Sequence, residues 1–363
     1  MLRTCLLSFL LCAAIVGAPY AKPNAVAPLV TPISVYGAWH CGNEFCSWAS
    51  VRNMTDFDNR NRWLIDRGDG TPSVNLVVLS FVHPLRLLNK TNDSATTQGI
   101  PNGMTQAVVD YFKTRGIRVQ LSIGGITYTD AWNQALATNP TQLGLNAAEA
   151  ATRLGVGIEI DYEENMNPNL TALQAFITAY RSVHPYDASG NNHAARLTID
   201  LAAGDRWLIP LTRKATADWL NTTTPVLDYA NAMVPNKQPN TAEVAQTNWQ
   251  EHVDGKAQFD PPILPLAPAK FTGALYIVTG TRAAAECTSF SSSLINSTGA
   301  YVQSVVPNGA GTTSGMLGYM FWAAECPSSR RVCTTPPNSC EGGVGVGATT
   351  YNIPIPMPPL RQN

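Results

Sequence analysis

Eight short apolar runs recur along this 363-residue chain, and their spacing limits the fold more than any other feature. They read as strands at 33–39, 75–82, 118–123, 156–162, 196–201, 226–233, 272–278 and 316–322. Most starts lie roughly forty residues apart, which leaves room for a strand, a helix and two loops. Helical patterns fill several gaps: 104–115 runs into Gly116, 131–154 ends at Gly155, and 169–183 starts after Pro168 and stops before Pro185. A further pattern at 283–305 is diluted by Ser and Thr. This alternation predicts the α/β class and a (β/α)8 TIM barrel, a single domain over residues 30–325. A doubly wound open sheet is the competing arrangement, but the Gly-rich phosphate loop of nucleotide folds is missing.

The two ends of the chain differ from the barrel. Residues 1–18 have the form of a secretory signal peptide, with Arg3, an apolar run over 6–16 and the small triplet Val16-Gly17-Ala18; cleavage as late as Ala21 also fits. The apolar run is too short to span a bilayer, so the mature chain is expected to be secreted and free of the membrane. Cys5 and Cys12 fall in the leader, leaving Cys41, Cys46, Cys287, Cys326, Cys333 and Cys340. An even number in an oxidising compartment points to disulfides, with Cys41–Cys46 and Cys333–Cys340 as local pairs and Cys287–Cys326 as the remainder. Zinc is the rival reading, and no His sits at ligand spacing from a Cys pair. Residues 326–363 are rich in Cys, Pro and Gly and should form an irregular, disulfide-tied tail. Asn53, Asn89, Asn92, Asn169, Asn221 and Asn296 open N-x-Ser/Thr triplets, the acceptor pattern of a glycoprotein. A net charge of −1 without a basic cluster gives nucleic acid no footing.

The chemistry concentrates in "VGIEIDYEEN", residues 156–165. Glu159, Asp161 and Glu163 alternate with Ile158, Ile160 and Tyr162, so the run reads as a strand with unlike faces. In a parallel barrel the apolar face packs under the helices and the acids point into the lumen. Successive inward residues are about 6.6 Å apart, so the acids climb towards the C-terminal mouth, where barrel enzymes work. Neighbouring buried carboxylates cannot all ionise cheaply, and one of them should hold a proton near neutral pH. A solvated loop is the plainer reading, but the strict alternation with Ile opposes it. A calcium loop would need Gly, Asn and Asp at turn spacing.

"GIEIDYE" resembles the D-x-x-D-x-D-x-E signature of glycoside hydrolase family 18, the chitinases and endo-β-N-acetylglucosaminidases. Asp161 and Glu163 match its last two acids, Glu159 stands at the middle Asp and Val156 at the first. "SIGG", Ser122–Gly125, matches the family's S-x-G-G at the end of strand three. The resemblance implies a retaining hydrolase of β-linked N-acetylglucosamine, active without metal or cofactor. Glu163 would be the acid and then the base, Asp161 would hold the substrate acetamide, and Glu159 would share a proton beneath them. Such enzymes use the substrate's own acetamide as nucleophile. The substrate-binding set it implies is Tyr36, Ser122, Gly124, Gly125, Met233, Asn236 and Trp322, with Trp322 as the floor under the reacting sugar. In the family's strand-six pattern M-x-Y-D, Pro235 and Asn236 stand at the Tyr and the Asp. The loss of that Tyr favours the alternative reading, a chitinase-like lectin that binds N-acetylglucosamine sugars without cleaving them. Tyr36, Trp39 and Phe81 fit either core or cleft; Asn236 or Tyr229 is a candidate to replace the missing Tyr, although Tyr229, early in its strand, also fits packing. His40 and His83 read as structural histidines.

Overall fold

The computed structural model describes residues 35–41, 53–65, 72, 74–202, 207–233, 249–276 and 317–322. The leader, the 283–305 pattern, Pro235, Asn236, the tail and every cysteine side chain lie outside those residues.

Eight parallel strands form a closed ring, a TIM-barrel-like fold. They are β1 (Val35–Cys41), β2 (Leu76–Val82), β3 (Arg118–Gly124), β4 (Gly157–Asp161), β5 (Leu197–Ala202), β6 (Ala230–Met233), β7 (Phe271–Tyr276) and β8 (Gly318–Trp322). Each pairs with its sequence neighbours, and β1 closes the ring on β8 through Val35↔Gly318 and Ala38↔Phe321. Seven strands start within about two residues of the expected positions. The exception is β6, which starts at Ala230 rather than at 226. The N–H groups of Val226 and Leu227 donate to the carbonyl of Trp219, so that stretch closes a turn before the strand begins.

Helices cover the outside of the described arc: α1 (Met54–Ile65), α2 (Pro84–Leu88), α3 (Gln106–Lys113), α4 (Thr129–Thr138), α5 (Pro140–Leu154), α6 (Leu170–Val183) and α7 (Ile209–Lys214). The sequence pattern over 131–154 suggests one helix, and the structure shows two. Pro140 lacks the N–H that would continue α4 and pushes Asn139 to φ −161°. Asn139 then caps α5, its Oδ1 accepting from the Gln142 N–H at 2.9 Å.

The alternation read in the sequence sets the layers. Ile158, Ile160, Tyr162, Leu197, Ile199 and Leu201 point outward into one apolar layer with Phe112, Trp132 and Phe176. Each fully buried side chain of this kind contributes roughly 1.5–3 kcal/mol. A second cluster gathers Val35 and Trp39 of β1, Leu76 and Val78 of β2 and Met320 of β8, residues of alternate inward register, together with Tyr229, which precedes β6. At the N-terminal end Asp228 is buried between Arg181 and Arg196 and accepts the Leu197 N–H at 2.7 Å, which anchors the starts of β5 and β6.

Candidate active site

Strand β4 delivers the acids as its alternation requires. Glu159 and Asp161 lie within it, and Glu163 follows two residues past its C-terminal end. All three are buried, Glu163 being the most accessible at 9% exposure, as befits a group at the rim. Glu164 turns away: its carboxylate accepts from Asn133 Nδ2 on α4 and from the N–H groups of Met166 and Asn167.

Glu159 is held from both sides. Trp39 Nε1 on β1 donates to Oε1 at 2.8 Å, and Asn231 Nδ2 on β6 donates to Oε2 at 2.6 Å. Thr272 on β7 donates to Asn231 Oδ1 and so fixes the amide with its nitrogen towards Glu159. Ser122 stands opposite Glu159 in the β3–β4 register. Trp39 is therefore both a core residue and a partner of the site. The Gln120–Tyr229 layer lies one inward step below, joined by a 3.2 Å hydrogen bond, so Tyr229 packs in the lumen.

The glycines of "SIGG" bring strand ends together where no side chain fits. Gly124 pairs with Asp161, and a Cβ on it would lie 1.8 Å from the Asp161 carbonyl oxygen. Its φ of +122° also favours glycine. Gly125, at φ +94°, donates its N–H to that same carbonyl at 3.0 Å. Trp132 Nε1, buried on α4, donates to the carbonyls of Ile123 and Asp161 at 3.0 and 3.1 Å. The ends of β3 and β4 are thereby tied together just below Glu163. The same turn sends the Ile126 N–H to the Glu163 carboxyl.

Burial dominates the electrostatics. It pushes the Glu163 carboxyl up to about 7, against the lowering effect of hydrogen bonds from Asp161 and Ile126. Glu159 is likewise raised by burial to about 7, against the lowering effect of its polar neighbours Trp39, Ser122, Asp200 and Asn231. Asp161 is raised well above the ordinary range by burial and then by the Glu163 and Glu159 charges. Its Oδ1 is buried and, among the described residues, has no hydrogen-bond partner.

One luminal acid escaped the sequence reading. Asp200 on β5 is buried, pairs with Asn231 in register, and hydrogen-bonds to Glu159. The signal was there in "LTIDLA", where Thr198 and Asp200 alternate with Leu197, Ile199 and Leu201. Among the other expected residues, Gly124 and Gly125 sit at the mouth as described, while Ser122 is buried lower in the lumen, level with Glu159. Met233 ends β6 and is half-buried against the outer apolar layer. The backbones of Tyr36 and Trp322 lie in β1 and β8; their side chains, and all of Asn236, fall outside the described residues. His40 is buried outside the ring against Phe57 and Phe112, with Nε2 2.7 Å from Asn61 Oδ1. The His83 and Tyr128 rings meet at 4.7 Å, tilted by 48°, and Phe81 packs against the outer layer.

Fold and site define a parallel barrel of the TIM type whose C-terminal mouth is lined by carboxyls. More narrowly, the fold is chitinase-like, that of glycoside hydrolase family 18. A family 18 chitinase from Pseudoalteromonas aurantia superposes with a TM-score of 0.53 at 14% identity, over 79% of this chain and 93% of that one. A family 18 chitinase from Cycas revoluta, in complex with (GlcNAc)3, gives 0.50 at 10% identity over 87% and 99%. No family model and no curated protein matches the sequence.

Proposed function

We propose that this protein is a secreted, retaining glycosidase of the family 18 type, acting on chitin-type chains or on the chitobiose core of N-glycans. The observation that carries the reading is Glu163, a carboxyl raised to about 7 at the barrel mouth and joined to Asp161. A carboxyl of that kind can hold a proton at neutral pH and give it to a glycosidic oxygen. The carbonyl oxygen of the substrate's 2-acetamido group then attacks the anomeric carbon as the leaving sugar departs. Asp161 accepts the acetamide N–H and stabilises the positive charge of the cyclised intermediate. Glu163, now ionised, takes a proton from water as that water opens the ring, which returns the original configuration and the protonated acid. Export and glycosylation belong to the same proposal, supported by the leader and by the exposure of Asn53, Asn89, Asn92, Asn169 and Asn221.

Pro235, at the position of the strand-six Tyr, favours a second reading, a lectin for N-acetylglucosamine sugars. One experiment separates the two. Wild type and Glu163→Gln are compared on a chitooligosaccharide and on a high-mannose glycopeptide, with product release and binding both measured. Hydrolysis by wild type alone supports the enzyme. Binding without product sinks it in favour of the lectin, and no binding to either sugar removes both.

A further inference from the structure

The lumen holds four carboxyls, those of Glu159, Asp161, Glu163 and Asp200, and among the described residues no Lys or Arg acts on any of them. Protons must therefore hold the cluster together. Geometry says where one of them resides. An indole nitrogen can only donate, and Trp39 Nε1 points at Glu159. The Asn231 amide, oriented by Thr272, gives Glu159 a second N–H. Glu159 is thus built to accept. Asp200 is 1% exposed, and among the described residues its buried Oδ1 has no hydrogen-bond partner, a place unsuited to a full negative charge. The register Ile160↔Ile199 puts Asp200 level with Asp161, one step above Glu159.

We infer that Asp200 is a positioning residue: it gives Glu159 its shared proton and so leaves the Asp161 carboxyl to Glu163. The inference rests on the glycosidase reading for its catalytic consequence. Among the described residues the titratable groups facing Asp200 are Glu159 and Asp161 from β4, and its other neighbour, β6, presents Asn231, whose side chain lowers the Asp200 carboxyl without offsetting burial and the two charges. Burial, then those two charges, raise its carboxyl well above the ordinary range, in keeping with a protonated acid. Without the Asp200 proton, Asp161 is the remaining carboxyl able to serve Glu159. Glu163 then loses a hydrogen bond that now lowers its pKa.

The test compares wild type, Asp200→Asn and Asp200→Ala. Asn keeps an N–H for Glu159 but cannot ionise, whereas Ala offers no donor. With 13C-labelled Asp and Glu carboxyls, the resonance lost in Asp200→Asn should stay at its protonated position through pH 7 in wild type. The Glu163 resonance should titrate at higher pH in Asp200→Ala and as in wild type in Asp200→Asn. On a chitooligosaccharide, Asp200→Ala should lower kcat on the order of tenfold at unchanged KM and move the alkaline limb of the pH profile upward. Asp200→Asn should restore both. An Asp200 signal that titrates in the ordinary carboxylate range overturns the inference, as does equal behaviour of the two variants at Glu163. If wild type cleaves nothing, the glycosidase reading falls, and the carboxyl titrations still decide where the proton sits.

Discussion

Glu163→Gln should make the protein more stable at alkaline pH while removing hydrolysis. The ordinary Glu value is 4.5, and burial raises the folded one to about 7. Below 4.5 the carboxyl is protonated in both states, and its full contribution to stability is present. As pH rises towards 7 the unfolded chain ionises first, so stability is lost through that window and stays lost above it. A difference of 2.5 units between those two values, at 1.36 kcal/mol per unit, comes to about 3 kcal/mol. Gln cannot ionise, yet its amide can still accept the Ile126 N–H and approach Asp161. Urea unfolding of both proteins at pH 4.5, 6, 7 and 8.5 measures the effect. The two should be nearly equal at pH 4.5, with the variant ahead by about 3 kcal/mol at pH 8.5 and an unchanged m-value. A stability difference that stays flat across that range would refute the claim that Glu163 is buried and neutral at rest.

Three further outcomes follow from other contacts. Trp132→Phe removes the donor to two strand-end carbonyls and should cost about 2 kcal/mol in urea unfolding, with kcat falling as the mouth loosens. Asp228→Ala strands two arginines at the base of the barrel and should cost roughly 3–5 kcal/mol, read as a lower Tm. Met166, three residues after Glu163, is 73% exposed, and Ile126, which opens a short 3-10 turn after Gly125, is 58% exposed. Met166→Asp should raise KM for a chitooligosaccharide roughly fivefold, a loss of about 1 kcal/mol of apolar contact, and leave kcat in place. An unchanged KM would remove Met166 from the sugar path.

The barrel was legible because its signal is periodic. Strands of alternating or continuous apolar character, separated by helix-length gaps, survive small errors at their ends, and only β6 began late. The acids of β4 were equally legible, since Ile158, Ile160 and Tyr162 mark the opposite face. Asp200 was harder to find. A single acid beside one Thr on a short strand carries little contrast, and its meaning comes from Glu159, on a neighbouring strand. Asn231 and Thr272 were invisible for the same reason, because their roles exist only across the lumen. The break at Asn139 was readable in principle from Asn139-Pro140, but the Ala and Leu of the surrounding segment masked it.

The two faces of β4 answer to different demands. On this strand the apolar packing under the helices sits on the residues that look outward, and the proton chemistry sits on those that look inward. Circular dichroism or a superposition reports the first set and is blind to the second. Two such barrels could overlay closely while one cuts sugars and the other only holds them, parted by a single carboxyl. For molecules of this design, likeness of form identifies the scaffold, and the titration of one glutamate tells what the scaffold does.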